Sequence, residues 1–265
     1  MIGDSAAAPS RLAFRAPLDW PLLLEWLGAR AVPGLEAVDA GTYRRVLGDG
    51  RIVTIAAGRD GLHLHGRADE SSVRRVFDLD HDPAALAAAV GRDPLLGPRV
   101  ARAPGIRVPG AWSGFELAVR AILGQQVSVA GARRTAAKLV HALGEPATDL
   151  LPGLARRFPT PEAVACGPLP GMPEARARAL RALAEAVAGG LRLDPPAGLA
   201  ATRAALLALP GIGPWTAEYV AMRALRDPDA WPGGDLWLRR AAAGADPAAW
   251  RPWRAYAAML LWQVP

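Results

Sequence analysis

The chain has 265 residues, of which 51% are hydrophobic and 21% charged, and these proportions predict a globular protein with one large domain or two to three small ones. A single cysteine excludes an internal disulfide and any four-cysteine zinc or iron–sulfur site within the chain. The formal net charge of +6 favours a polyanionic partner.

Membrane and export signals are not evident in the sequence. No stretch reaches about 18 consecutive uncharged apolar residues, and residues 1–10 lack the basic and apolar layout of a signal peptide. We therefore expect a cytoplasmic protein without membrane contact.

The basic residues are almost all arginine, with 30 Arg and the single Lys138. An enzyme that forms a Schiff base needs an amine that can lose its proton, which arginine does not supply. Only Lys138 or the N-terminal amine would serve, so the composition argues against covalent imine chemistry.

The N-terminal part predicts a small antiparallel sheet with a covering helix. Residues 51–55 and 62–65 alternate in hydropathy on either side of a turn at 58–61. Residues 20–30 carry apolar side chains at helical spacing. Residues 94–112 are rich in Pro, Gly and Arg and predict a connection.

From residue 113 onward the sequence predicts helices only. Ser113 and Glu116 form a capping-box pattern at the start of a helix that runs toward Gly124, and Ser128 begins the next helix. Further helix starts are predicted at Thr160–Pro161 and Asp246–Pro247, with an amphipathic helix at 173–188 and an aromatic-rich C-terminal helix at 250–262.

A helix-hairpin-helix pattern lies at 201–226. Residues 201–209 have helical apolar spacing, and Pro214 suits the first turn of a second helix. Because Gly211 and Gly213 have no Cβ, a phosphate could approach the NH groups of the turn and the positive end of the second helix. A plain corner between two helices is the alternative.

Asp235 follows two glycines and stands at the predicted start of another helix. An Asp in that place is most often a helix cap. An ionised carboxylate at a helix start also suits stabilisation of positive charge on a sugar ring, or the steering of a water toward it. The two interpretations are compatible.

Aromatic residues are concentrated near the C-terminus, since six of the nine tryptophans lie in the last 51 residues. Trp215 and Tyr219 are four residues apart, so on a helix their rings share a face that could stack on a flat cationic base. Ordinary packing of Trp between helices is the alternative.

Gln125 and Gln126 stand where a helix ends, and are either loop residues or side chains that enter a duplex beside an extruded nucleotide.

The histidines predict no metal site. His63 and His65 share a strand face, but no third ligand stands near them. His81 and His141 are isolated, and we assign them no role.

Four segments stand out by their order and spacing: residues 115–128, the hairpin LPGIGPWTAEY at 209–219, Pro-Gly-Gly-Asp at 232–235, and residues 250–257. Together they resemble the 3-methyladenine DNA glycosylase II (AlkA-type) family of the helix-hairpin-helix DNA glycosylase superfamily. The resemblance spans residues 11–263.

The resemblance and the pattern together predict an α+β fold. A small N-terminal antiparallel sheet with helices would be followed by a mostly α-helical helix-hairpin-helix glycosylase core. The expected units are a mixed α/β domain at 11–95, a central helical domain at 112–227, and a second helical lobe from 96–111 plus 228–265 that carries Asp235.

The resemblance implies that the protein flips alkylated purines, such as 3-methyladenine and 7-methylguanine, out of double-stranded DNA and hydrolyses the N-glycosidic bond in base excision repair. It implies a monomer without a cofactor, associated with the bacterial nucleoid. Two alternatives stay open: a non-catalytic module that binds damaged DNA, and a glycosylase for deaminated or oxidised bases.

The resemblance also assigns roles to individual residues. Asp235 corresponds to the family's catalytic aspartate, and the implied walls of the base pocket are Trp26, Trp215, Tyr219 and Trp262. The implied DNA contacts are Gln125, Gln126, Gly211, Ile212, Gly213 and Thr216. No side chain is expected to bind a metal, but the backbone carbonyls of Leu207, Leu209 and Ile212 could hold a monovalent cation. Strand-cutting relatives have a lysine where this chain has Trp215, which implies a monofunctional enzyme.

Three positions depart from the family pattern. Gln126 replaces an apolar wedge, Gly234 replaces a common acid, and Leu236 replaces an aromatic residue. These departures bear on the range of substrates.

Overall fold

The computed structural model describes residues 9–195 and 197–264, without the side chain of Leu150. Its N-terminal part is a five-stranded antiparallel sheet in the order β1-β5-β4-β3-β2, covered by helix α1. The elements are β1 (Ser10–Leu12), α1 (Trp20–Arg30), β2 (Glu36–Asp39), β3 (Thr42–Val46), β4 (Ile52–Ala57) and β5 (Leu62–His65). The helix at 20–30 and the strand at 62–65 are confirmed, and the strand predicted at 51–55 lies at Ile52–Ala57.

Three short helices follow the sheet: α2 (Glu70–Phe77), α3 (Pro83–Val90) and α4 (Gly97–Arg102). The prediction of a plain connection over residues 94–112 was wrong, because α4 lies within it. Pro98 falls in the first turn of α4. Backbone NH groups in a first turn make no hydrogen bond within the helix, so a proline there costs none. The Pro and Gly content that indicated a connection is therefore compatible with this short helix.

The rest of the chain is mainly helical, which confirms the α+β fold class. The elements are α5 (Gly114–Leu123), α6 (Val129–Leu143), β6 (Pro146–Leu151), β7 (Leu154–Arg156), α7 (Pro161–Cys166), α8 (Glu174–Ala188), α9 (Leu199–Leu207), α10 (Pro214–Arg223), α11 (Leu236–Ala241), a 3-10 turn (Pro247–Trp250) and α12 (Arg254–Gln263). The predicted caps are present, since Ser113, Ser128 and Thr160 each accept a hydrogen bond from a backbone NH of the first turn. No helix among the described residues is long and apolar enough to span a bilayer.

The β6–β7 hairpin corrects the prediction of helices only after residue 113. Its strands are held by the N-terminal part: the NH of Thr148 donates to the carbonyl of Gly50 at 2.9 Å, and the NH of Ala155 donates to the carbonyl of Gly34 at 2.8 Å. The carboxylate of Asp149 accepts from the NH of Ile52 at 2.7 Å. These partners are about a hundred residues away in sequence, so local pattern does not report them.

The C-terminal helix is shorter than predicted. Residues 250–262 do not form one helix, because the chain turns at Pro252 and α12 begins only at Arg254. Trp250 instead ends the 3-10 turn and is buried, and its indole NH donates to Asp93 at 2.8 Å.

Two hydrophobic clusters form the interior. The first joins the inner face of the sheet to α2, α3 and α12, with Ile55, Phe77 and Met259 among its fully buried members. The second joins α5, α6, α8 and α10, and includes Ile122 and Val220. Helix α12 therefore shares a core with the N-terminal sheet, although the two lie at opposite ends of the sequence. The domain boundaries given above stay a prediction.

A buried ionic cluster connects the sheet to α5. Arg45 on β3 donates to Glu36 at 2.8 Å and to both oxygens of Glu116. Arg120 donates to Glu36 and to Glu116, each at 2.9 Å. Burial alone would raise the pKa of Glu36, but Arg120 and Arg45 more than offset it and hold that pKa at about 2. The cluster thus pairs two arginines with two carboxylates, so its formal charges balance.

His81 gives the fold a pH-dependent stability. Its ring is 6% exposed and stacks on Tyr256 at 4.1 Å. Burial lowers the pKa of His81 to about 4, with Asp78 opposing and Arg107 adding to the shift. The unfolded chain binds the proton first, so the stability contributed by neutral His81 is complete above pH 6.5 and is lost as the pH falls toward 4.

We expect protonation of this one group to lower the free energy of unfolding by about 2 to 3 kcal/mol between pH 7.5 and pH 4.5. His81→Phe keeps a stacked ring and removes the titration, so its loss over the same interval should be smaller by that amount. Urea unfolding of both proteins at both pH values measures the difference. Equal losses in the two proteins would show that His81 does not contribute.

Candidate active site

A cavity of about 220 Å³ opens between helices α1, α5, α6 and α10. Four aromatic side chains and one carboxylate line it, namely Trp26, Trp215, Tyr219, Trp262 and Asp235. Distant parts of the sequence, from α1 to α12, contribute these residues. The structure therefore brings together all four predicted pocket walls and the predicted catalytic aspartate.

The aromatic walls form a contiguous group of rings. Trp215 and Tyr219 lie one turn apart on α10 and stack with ring centroids 5.3 Å apart and planes at 11°. Trp262 meets Tyr219 edge to face at 6.2 Å and stacks on Trp26 at 5.5 Å. At these spacings no planar ligand fits between paired rings, so a base would stack on a ring face that is open to the cavity.

Asp235 is both a helix cap and a wall of the cavity. Its Oδ1 accepts from the NH of Leu238 at 3.0 Å, which caps α11. The indole NH of Trp215 donates to Oδ2 at 3.3 Å, and that of Trp262 donates to Oδ1 at 3.4 Å. Among the described residues, Asp235 forms no ion pair. The carboxylate is thus held in place by neutral donors, and its negative charge remains available to the cavity.

Arginine side chains also line the cavity, and the sequence analysis did not identify them. They are Arg30, Arg120, Arg133 and Arg223. Arg30 lies over the ring of Trp26, with its guanidinium carbon 3.3 Å from the ring centroid, and Arg223 donates to the hydroxyl of Tyr219 at 2.7 Å. Each of these two arginines is four residues after the aromatic residue that it contacts, so helical spacing could have revealed them.

The buried charges shift the pKa values of the cavity walls. Burial lowers the pKa of Arg30 to about 10, although Tyr219 opposes the shift. Burial would raise the pKa of Tyr219, but Arg223 and Arg30 reverse this and lower it. One face of Trp26 is already occupied by a cation of the protein, so a cationic ligand would have to use another ring.

The helix-hairpin-helix is present, with α9 and α10 joined by a turn in which Gly211 has φ +75°. Gly211 and Gly213 are exposed. Gly213 precedes α10 at the cap position and has no side chain to cap it, which leaves the first NH groups of the helix free for an anion. Ile212 and Thr216 are buried, at 5% and 1% exposure. Any contact of these two residues with DNA would therefore be made by backbone.

The two glutamines differ in their surroundings. The side-chain amide of Gln125 donates to the carbonyl of Gly211 at 2.9 Å and to the hydroxyl of Thr216 at 3.0 Å. The backbone carbonyl of Gln125 accepts from the guanidinium of Arg176 at 2.8 Å. Gln126 is exposed and has φ +57°, an unusual value for a residue other than glycine. Gln125 therefore ties the loop to the hairpin, and Gln126 is the side chain that remains free.

The other two departures from the family pattern lie beside Asp235. Leu236 is 60% exposed, so it adds nothing to the cavity wall. A Cβ at Gly234 would lie 3.3 Å from the Cβ of Trp215, so a larger residue there would press on the indole that donates to Asp235. His63 contacts Asp60 at 3.1 Å and does not line the cavity. No cluster of three or more His, Cys, Asp or Glu that could hold a metal occurs in the part of the chain that the structure describes.

Comparison with known proteins identifies the family. Residues 9–113 match the AlkA N-terminal domain. The chain is 35% identical to DNA-3-methyladenine glycosylase 2 of Escherichia coli over 95% of each protein. The chain belongs to the AlkA-type family of DNA-3-methyladenine glycosylases. The resemblance drawn from the four sequence segments is thereby confirmed.

Other relatives extend the comparison. The chain is 42% identical over 95% of its length to a probable bifunctional transcriptional activator/DNA repair enzyme AlkA of Mycobacterium tuberculosis, and covers 56% of that protein. It thus spans little more than half of that relative. Among solved structures, a 3-methyladenine DNA-glycosylase from Archaeoglobus fulgidus has the same fold, with a TM-score of 0.80 and 23% identity over 95% of this chain and 96% of that one.

The different environments of the glutamines lead to a prediction about stability. Gln125→Ala removes two hydrogen bonds between the loop and the hairpin, and we expect it to lower the free energy of unfolding by about 1 to 2 kcal/mol. Gln126→Asn, at an exposed position whose positive φ asparagine tolerates, should change it by less than about 0.5 kcal/mol. Urea unfolding measures both, and equal effects would contradict the assigned contacts.

Proposed function

We propose that the protein is a monofunctional DNA glycosylase that removes alkylated purines, such as 3-methyladenine and 7-methylguanine, from double-stranded DNA. The observation that carries this proposal is the carboxylate of Asp235, which neutral donors hold in the wall of an aromatic cavity. The name of the Escherichia coli relative, DNA-3-methyladenine glycosylase 2, supports the same reaction.

The hairpin would hold the DNA strand that carries the damaged base. Its exposed glycines and the uncapped start of α10 suit a phosphate, which backbone NH groups bind without reading sequence. Gln126, free and exposed beside the cavity, would enter the duplex and hydrogen-bond to the base left without a partner. Gln125 would keep that loop at a fixed distance from the hairpin.

The aromatic cavity would receive the extruded base. Trp215 and Tyr219 offer a stacking surface. Trp262 meets Tyr219 edge to face, and Trp26 stacks on Trp262. Alkylation makes a purine cationic and therefore a good leaving group that needs no general acid. The lesion's weaker glycosidic bond and its low cost of extrusion would contribute most of the selectivity.

Asp235 would supply the electrostatic part of catalysis. As the glycosidic bond breaks, positive charge develops on the sugar ring, and a fixed carboxylate beside C1′ stabilises it or directs a water to that carbon. The NH groups of Leu238, Trp215 and Trp262 hold both carboxylate oxygens in position before the reaction begins. Hydrolysis would leave an abasic site and an intact strand.

Two further assignments remain proposals. The chain would act as a monomer on damaged duplex DNA. The carbonyls of Leu207, Leu209 and Ile212 would hold a monovalent cation beside the bound phosphate. The carbonyl of Leu209 already accepts from the NH of Ile212 at 3.3 Å, and its second lone pair suits such an ion. The cation would neutralise phosphate charge and take no part in bond cleavage.

The test of the catalytic role is Asp235→Asn. Asparagine keeps the side-chain oxygen that caps α11, so the variant should fold. Loss of the charge should lower the single-turnover rate of base release by about 100-fold or more, while affinity for lesion-containing duplex stays within about threefold. Released base is measured from methylated DNA, with alkali added afterwards to reveal abasic sites.

Retained turnover in the variant would remove Asp235 from the mechanism. Tight binding without base release by the wild-type protein would instead favour the damaged-DNA-binding alternative.

The lack of a cavity lysine leads to a second test. Lys138 lies on the exposed side of α6 and does not line the cavity. We therefore expect no covalent adduct when the reaction is run with borohydride, which would reduce any imine between protein and DNA. Gel electrophoresis detects such an adduct, and a trapped species that maps to an amine of this chain would contradict the monofunctional assignment.

A further inference from the structure

Arg133 differs from the other three arginines of the cavity. Arg120 is neutralised by Glu36 and Glu116. Arg223 is fixed by the carbonyls of Pro109 and Gly110.

The third arginine, Arg30, lies over the ring of Trp26. Arg133, in contrast, lines the same cavity, is exposed, and has no hydrogen-bond or ion-pair partner among the described residues. It is the cavity cation whose guanidinium is free to bind a ligand.

Arg133 and Asp235 line the cavity from different helices. Helix α6, which carries Arg133, packs against α1 and α5, whereas α10 packs against α5 and α9. The phosphate-binding turn and Asp235 lie on the α10 side of the cavity. A base extruded into the cavity, with its sugar at Asp235, would share that cavity with the guanidinium of Arg133.

We propose, on the basis of the function proposed above, that Arg133 is a specificity-determining residue that donates to an acceptor oxygen on the extruded base. A guanidinium is a strong donor to carbonyl oxygens and is always charged. The class of substrate that it favours is therefore a neutral 6-oxopurine, such as hypoxanthine. The class that it penalises is a cationic base without an exocyclic oxygen, such as 3-methyladenine.

The charge balance of the cavity supports this assignment. With Arg120 compensated, the charges that line the cavity are those of Arg30, Arg133 and Arg223 against the single Asp235. This excess of positive charge disfavours the binding of a cationic base. Arg133 is the cavity arginine that has no partner among the described residues. Removal of the Arg133 charge should therefore favour binding of a cationic base, and should remove a hydrogen-bond donor to the exocyclic oxygen of a 6-oxopurine.

The chain offers a matched control in Arg134. This neighbour is also exposed and on α6, and it also has no described partner, but it does not line the cavity. Arg133→Ala and Arg134→Ala therefore remove the same charge from adjacent positions. Neither arginine is buried, so both variants should unfold at the wild-type temperature.

The experiment measures kcat/KM for release of three bases from otherwise identical duplexes. Hypoxanthine is neutral and has an exocyclic oxygen, 1,N6-ethenoadenine is neutral without one, and 3-methyladenine is cationic without one. Arg133→Ala should lower the value for hypoxanthine by about tenfold and leave ethenoadenine within about twofold. The value for 3-methyladenine should rise, and Arg134→Ala should leave all ratios at wild-type values.

Three results would overturn the proposal in distinguishable ways. Equal loss on all three bases, with a salt dependence of DNA affinity shallower by about one unit, would assign Arg133 to a phosphate. Ratios identical to those of Arg134→Ala would remove any role for Arg133. Release of none of the three bases by the wild-type protein would overturn the proposed function, and the role of Arg133 with it.

Discussion

The structure depends on one buried ionic cluster between the N-terminal sheet and α5. Arg45 and Arg120 each contact both Glu36 and Glu116, and the hydroxyl of Tyr43 donates to Glu36 at 2.7 Å. Charges this deep in a protein are tolerated only when they are paired and hydrogen-bonded. The cluster therefore fixes how the sheet lies on α5, because a displacement would leave a buried charge without its partner.

This constraint extends to the cavity. Arg120 also donates to the backbone carbonyl of Arg30 at 2.5 Å, at the end of α1. The same helix carries Trp26, and Arg30 covers that ring. The cluster thus sets the distance between α1 and α5, two of the four helices that enclose the cavity. The N-terminal sheet, which contributes no lining residue itself, acts on the site through these contacts.

Several groups of the site serve the fold and the proposed chemistry at once. The carboxylate of Asp235 caps α11 and accepts two indole NH groups, so the bonds that build the helix also orient the charge. Gln125 satisfies a hairpin carbonyl and positions the loop that presents Gln126. Such double use gives a cavity assembled from remote segments a defined geometry.

Elements whose cause is local can be predicted from the amino-acid sequence. Caps such as Ser113 and Ser128, the glycine turn of the hairpin and the spacing of Trp215 and Tyr219 act within one or two turns of chain, and all of them appear in the structure. The β6–β7 hairpin and the charge of the cavity depend instead on tertiary contacts. The β6–β7 hairpin forms because backbone groups about a hundred residues away receive it. The cavity's charge likewise depends on which arginines find a partner, since burial and pairing across distant segments, rather than local pattern, determine whether a charge is neutralised or left free.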